Sequence, residues 1–133
     1  MQLEPIGIVE SPLTDRDAAP KQGDEGAPAA WIVFDARVAD ALDGLDVGDA
    51  LLVLTWLDRA RRDVLRVRPR SDPARRVQGV FSTRSPDRPN PIGLHRVTVL
   101  AIEGVRVRVS DLEALDGTPV VDVKPVLRSV DER

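Results

Sequence analysis

Residues 50–57 read Ala50-Leu51-Leu52-Val53-Leu54-Thr55-Trp56-Leu57, an almost wholly apolar run that follows the turn Asp46-Val47-Gly48-Asp49. The run is too short for a long helix and is rich in strand formers, so it predicts a buried strand. Working outward, Val105-Arg106-Val107-Arg108-Val109 alternates strictly between apolar and charged residues, which places one face on a core and one in water. His95–Glu103 predicts a strand before it. The turn Asp116-Gly117-Thr118-Pro119 leads into a last strand over Val120–Val123, closed by Lys124-Pro125. Towards the N-terminus, Leu3–Glu10 and Ala30–Phe34 read as strands. Val64–Arg68 reads as a half-exposed strand ended by Pro69, and Gly79–Ser82 as a short one. Between Asp35 and Leu45, Val38, Ala41, Leu42 and Leu45 recur at helical spacing and Gly44 marks a stop, so one short helix is expected. About eight short strands with one short helix predict a mainly β protein, a small single-domain β-barrel.

Composition narrows the function classes. The chain has 133 residues, 42% hydrophobic and 3% aromatic, with no Cys, no Tyr and one His. That length supports one domain with its own core. Without Cys there is no disulfide scaffold, thiolate metal site or thiol nucleophile. One His excludes a His/Cys zinc site, and no carboxylate spacing suggests another metal, so no metal is expected. No apolar run approaches a membrane span, and the acidic start Met1-Gln2-Leu3-Glu4-Pro5 lacks the apolar core of a secretory signal. A cytoplasmic protein is the expectation.

The net charge of −3 conceals an asymmetry. Residues 1–58 carry 3 basic and 12 acidic groups, residues 59–96 carry 11 Arg against 3 Asp, and residues 97–133 carry 5 basic and 7 acidic groups. A basic central segment on an acidic body can meet phosphate.

Two stretches offer chemistry. In Thr83-Arg84-Ser85-Pro86-Asp87-Arg88-Pro89-Asn90-Pro91-Ile92-Gly93, three Pro forbid both helix and central strand and push their predecessors towards extended geometry. The loop is therefore stiff, holds Arg84, Arg88 and Asn90 in a fixed array, and suits an anion. The other stretch, Leu112–Pro125, sets carboxylates and a lone Lys around an Asp-Gly turn. Residues 11–30, rich in Pro, Gly and charge, form a long loop of the kind that is usually functional or mobile. Gly-x-Gly-x-x-Gly, Walker and Gly-x-Ser-x-Gly patterns are absent. His95, inside a strand, reads as a surface or packing residue rather than a base. The aromatic residues Trp31, Phe34, Trp56 and Phe81 sit in apolar strands and read as core.

The stretch Phe81-Ser82-Thr83-Arg84-Ser85-Pro86-Asp87-Arg88-Pro89-Asn90-Pro91-Ile92-Gly93-Leu94 closely resembles the signature of the TrmO (TsaA-like, VirR-like) family. Ile6-Gly7-Ile8-Val9-Glu10-Ser11-Pro12 resembles that family's opening. Asp116–Pro125 resembles its closing motif. The resemblance spans roughly residues 5–125 in the right order, and the long middle motif is highly specific. It implies a single TrmO-type β-barrel domain over 1–133, without the second small domain of many bacterial members. It further implies an S-adenosyl-L-methionine-dependent methyltransferase, usually a homodimer with sites near the subunit interface. The best-known members methylate N6 of a threonylcarbamoyl-modified adenosine beside the tRNA anticodon, so tRNA is the expected partner.

Carried over position by position, the resemblance assigns cofactor contacts to Ala18-Ala19-Pro20 in the early loop and to Leu57-Asp58 after the buried strand. Arg84, Asn90 and Leu94 follow from the Pro-rich motif, and Asp111-Leu112-Glu113-Ala114 from the segment before the closing turn. Asp116 and Asp122 are the catalytic candidates, to orient the nucleophile or to stabilise the turn. Lys124 is expected to pair with Asp122. The sequence departs from the family at Asp58, where many members carry His, at Glu113, where Asp is common, and at Val126, where Tyr usually follows Lys-Pro. Alternative readings are a methyltransferase for a small-molecule or other non-tRNA acceptor, and a non-catalytic cofactor- or RNA-binding barrel.

Overall fold

The structure, a computed structural model, describes residues 1–15, 27–69 and 72–127. Its eight strands are β1 (Gly7–Glu10), β2 (Ala30–Phe34), β3 (Ala50–Trp56), β4 (Arg66–Val67), β5 (Gln78–Gly79), β6 (Ile92–Glu103), β7 (Arg106–Val109) and β8 (Pro119–Pro125). Six of them close into a barrel in the order β1-β2-β7-β6-β3-β8, and β4 with β5 forms a separate two-stranded ribbon. The mainly β expectation holds, with the strands divided six to two between barrel and ribbon.

Period-two alternation builds the interior. Leu51, Val53 and Thr55 of β3 point inward, as do Val97 and Val99 of β6 and Val107 and Val109 of β7, all essentially inaccessible to water. Val9, Ile32, Phe34 and Val120 complete the cluster. Each such side chain stabilises the fold by about 1.5–3 kcal/mol relative to exposure. Closure comes from β1, which pairs with β2 on one side and with β8 on the other through Gly7↔Val120. Gly7 is required there, because a Cβ would lie 2.7 Å from the Val33 carbonyl oxygen. Register shifts leave one extra residue in β8, opposite Leu54/Thr55, and one in β6, between Val99 and Ala101, and bend these two strands, which supplies the curvature of a small barrel.

Several local expectations change. The Asp35–Leu45 segment forms a 3-10 helix over Ala36–Leu42, capped by Asp35, whose side chain accepts from the Arg37 amide at 2.9 Å. Gly79–Ser82 is not a strand: β5 ends at Gly79, and Val80–Ser82 turns as a 3-10 helix with the Thr83 amide bonded to the Val80 carbonyl. That turn throws Phe81 outward to 83% exposure, so this ring is not core. Trp31 and Trp56 are half-buried, and Phe34 alone of the four aromatics is buried. β6 starts at Ile92, directly after Pro91, three residues earlier than the apolar pattern suggests.

Candidate functional site

The residues between β3 and β6 leave the barrel and return as an arch. Its neck is held by backbone and side-chain bonds that answer a shortage of donors in the Pro-rich segment. Pro supplies a carbonyl but no N–H. The Leu57 amide donates to the Pro91 carbonyl at 2.8 Å. Arg62 Nε donates to the Pro89 carbonyl at 2.7 Å, and Arg62 Nη2 to Asn90 Oδ1 at 2.8 Å. The Arg61 amide donates to Asp87 Oδ1 at 2.9 Å, and the Arg88 amide to the Arg61 carbonyl at 3.0 Å. The Arg62 guanidinium also stacks 5.3 Å from the Trp56 ring centroid.

Most of the arginines of this segment serve the arch itself. Arg88, expected to present its charge outward, turns in and donates to the carbonyls of Val80, Thr83 and Ser85 at 3.0–3.1 Å. The reason is local: the Thr83 and Ser85 carbonyls have no backbone donor among the described residues, and one planar guanidinium reaches both together with the Val80 carbonyl, which also accepts from the Thr83 amide. Arg59 donates to the Thr14 carbonyl, Arg66 to that of Val77, and Arg68 to those of Pro73 and Arg75. Arg61 grips Asp63 with two bonds, which raises the Arg61 pKa and holds the Asp63 carboxyl below its usual range. The side chains of Arg75, Arg84 and Arg96 face the groove and have no hydrogen-bonding or ionic partner among the described residues.

Arch and barrel enclose an open groove of about 1590 Å³. The arch forms one wall, the first half of β6 the floor, and the loop after β7 the other wall. Of the expected cofactor contacts, Leu57, Asp58, Arg84, Asn90, Leu94, Asp111, Glu113 and Ala114 line this groove together, although they come from three separate stretches of sequence. Asn90 reaches it with its Oδ1 already held by Arg62. Ala18, Ala19 and Pro20 lie outside the described residues. Leu112 is 0% exposed and packs in the barrel core, so its side chain does not reach the groove. Asp111 takes φ 58°, a left-handed conformation that Asp tolerates better than most residues. It turns the chain so that Leu112 and Ala114 face the core and Glu113 faces the groove.

The two acids expected to be catalytic are not in the groove. Asp116 lies beside a small separate depression with Glu10, Ser11, Trp31 and Arg108, and its Oδ1 accepts from the Ser11 amide at 3.0 Å. It ties the closing turn to the end of β1. Asp122 sits on β8, pairs with Lys124 at 3.0 Å and caps its neighbour's amide, so the expected Asp122–Lys124 pair is present. Both acids therefore have structural partners that do not line the groove.

The sequence reading passed over the most polar feature of the groove. His95 is only 4% exposed. Its Nδ1 lies 2.5 Å from Glu113 Oε1 and its Nε2 lies 2.7 Å from Thr55 Oγ1. Parity contained the signal, because His95 shares its phase along β6 with buried Val97 and Val99, and Thr55 shares its phase with Leu51 and Val53.

These roles separate two arginines of the same motif. Arg88→Ala leaves the Thr83 and Ser85 carbonyls without a donor and should lower stability by about 1–3 kcal/mol. Arg84→Ala removes no contact with the described residues and should change stability by less than about 0.5 kcal/mol. Urea unfolding of both variants checks the contrast, and equal losses would show that the partners of Arg84 have been misread.

Comparison with known proteins agrees with the resemblance of the motifs. The family profile for the tRNA-methyltransferase O N-terminal domain matches residues 8–132. A Methanothermobacter thermautotrophicus protein named "Probable S-adenosyl-L-methionine-binding protein" is 44% identical over 131 residues, covering 98% of this chain and 93% of its own. An Archaeoglobus fulgidus "S-adenosyl-L-methionine-binding protein" has the same identity and coverage. Among solved structures, TrmO from Pseudomonas aeruginosa superposes with a TM-score of 0.76 at 28% identity, over 100% of this chain and 60% of that one. A second TrmO crystal structure matches with the same TM-score at 30% identity, over 100% of this chain and 62% of its own length. This chain thus spans about three fifths of the solved TrmO chains it matches. By motif, family profile and fold, the chain belongs to the TrmO family, where it corresponds to the N-terminal domain of tRNA-methyltransferase O.

Proposed function

We propose that the groove binds S-adenosyl-L-methionine and that the protein is a methyltransferase for N6 of a threonylcarbamoyl-modified adenosine beside the tRNA anticodon. The observation that carries this reading is the donor set gathered in the groove. Arg84, with no partner among the described residues, suits the carboxylate of the amino-acid moiety. The carboxylates of Asp58, Asp111 and Glu113 line the same groove and suit cationic and hydroxyl donors. Leu57 and Leu94 supply apolar contact for a purine. The residues present therefore fit the group in charge and in polarity.

When bound, the cofactor supplies an activated methyl group on a sulfonium. The chain's own contribution is alignment, because in-line displacement needs donor and acceptor held in one geometry and needs no metal. The stiff Pro-rich arch meets that need at little entropic cost on binding. Arg75 and Arg96, on the same groove with no partner among the described residues, suit the phosphates of an RNA acceptor. Relatives named for S-adenosyl-L-methionine binding and a family named for tRNA methylation support the reading. A tRNA acceptor implies work in the cytoplasm, and no helix among the described residues is long and apolar enough to cross a membrane.

The protein works as a homodimer in this reading. Phe81, Ile92 and Leu94 expose apolar surface at the groove, on the outer face of β6 and the adjoining turn. Exposed large apolar side chains gathered in one region are typical of an interface. Sedimentation should give a dimer for the native chain and a monomer for Phe81→Asp/Leu94→Asp. A native monomer at tens of micromolar would reject the dimer.

Incubation with methyl-labelled S-adenosyl-L-methionine and tRNA carrying the threonylcarbamoyl group tests the acceptor. Label is expected in the modified adenosine, and Arg84→Ala should lower transfer by about tenfold or more through weaker cofactor binding. Label confined to a small-molecule fraction would replace the tRNA acceptor with another. No cofactor binding at all would remove the methyltransferase reading.

A further inference from the structure

Thr55 and His95 occupy inward positions of β3 and β6, where the neighbouring inward residues Val53 and Val97 are apolar and buried. Polar side chains at such positions weaken a core unless every polar atom is matched. Here the matching runs in a line. Thr55 Oγ1 meets His95 Nε2 at 2.7 Å, and His95 Nδ1 meets Glu113 Oε1 at 2.5 Å. The line ends on Glu113 Oε2, which is buried and has no hydrogen-bond partner among the described residues. A buried carboxylate oxygen without a donor is costly, so one is rarely kept without a reason.

Two constraints stop Glu113 from relieving that cost by moving. Its neighbours Leu112 and Ala114 are 0% and 3% exposed and anchor the loop in the core on both sides. The imidazole holds Oε1. The space for the imidazole is itself reserved by Gly93, where a Cβ would overlap Thr55 Oγ1 and stand 2.7 Å from His95 Nε2. The last Gly of the Pro-rich motif is thus tied to the same line of groups. Both ring nitrogens of His95 are engaged, so the ring does not act as a base towards the groove. Its effect passes through Glu113.

We infer that His95, supported by Thr55, is a positioning residue that fixes the Glu113 side chain in the wall of the groove, where the carboxylate takes a hydrogen bond from a donor group of the ligand. The inference rests on the groove being the S-adenosyl-L-methionine site. The donors on that ligand are its ribose hydroxyls, its purine amino group and its ammonium group.

The chain has one His, so its imidazole resonances need no assignment among several. The probe is S-adenosylhomocysteine, followed by nitrogen NMR of the labelled native protein and by calorimetry of His95→Leu and His95→Gln. Saturation should shift the imidazole Nδ1 and its proton. His95→Leu leaves the Glu113 carboxylate without its holder and should weaken binding about tenfold or more. His95→Gln keeps an amide donor towards Glu113 and should bind within about threefold of the native protein. Native binding with unmoved imidazole resonances, or a His95→Leu affinity equal to the native one, overturns the inference and leaves the groove as the site. Because the NMR arm uses the native protein, it decides the matter even if His95→Leu fails to fold. Absence of binding to the native protein overturns the groove reading, and this inference with it.

Discussion

The structure depends on one closure. Where β3 ends and β6 begins, Trp56 pairs with Ile92, and the Leu57 amide donates to the Pro91 carbonyl. Everything between these residues is an excursion from the barrel, so this bond and the Arg62 bridge beyond it decide whether the excursion is an arch or a loose loop. A long flexible loop would lose much conformational entropy on gripping a ligand. The prolines reduce that loss in advance. They also remove backbone donors, and arginine side chains supply the missing ones. This is the physical sense of the Arg-rich segment: Arg59, Arg61, Arg62, Arg66, Arg68 and Arg88 are engaged within the chain, and most of them donate to carbonyls. The charge available to a partner is therefore smaller than the sequence count implies.

The same closure sets the chemistry of the groove. The β3–β6 register brings Thr55 opposite Gly93 and places His95 one inward step further along β6. From there the imidazole reaches Glu113, which the left-handed turn at Asp111 aims back towards the barrel. Arch, strand pair and loop thus converge from three distant parts of the sequence. Glu113 lies in that line of groups, and Asp58 lines the same groove.

What could be read in advance followed from local periodicity. The alternation of Val105–Val109 and the apolar run of Ala50–Leu57 name β7 and β3 within a residue or two. The barrel followed from the number of such strands. Its closure did not, because the Gly7↔Val120 pairing joins residues at opposite ends of the chain. Eight of the groove residues are legible from the resemblance of the motifs, not from spacing. The misses have separate causes. Val80-Phe81 looks like strand sequence but forms a turn, because the chain must reverse into the arch. Arg88 looks like a free cation, but the carbonyls that claim it belong to that turn. Asp116 and Asp122 look catalytic, yet Asp116 is tied to the Ser11 amide, a partner that sequence does not reveal, and Asp122 holds the expected pair with Lys124. His95 was discounted because a lone His is usually incidental, although its parity with Val97 placed it inside.

The central claim is that the groove between arch and barrel is the ligand site. Hydrogen exchange of the native chain with and without saturating S-adenosylhomocysteine tests it most directly. The account predicts slowed exchange at Leu57 and Asp58, across Arg84–His95, and across Asp111–Leu115, with the far side of the barrel at Ile8 and Arg106 unchanged. Protection confined to the depression around Glu10, Trp31 and Arg108, with none along the groove, would contradict it.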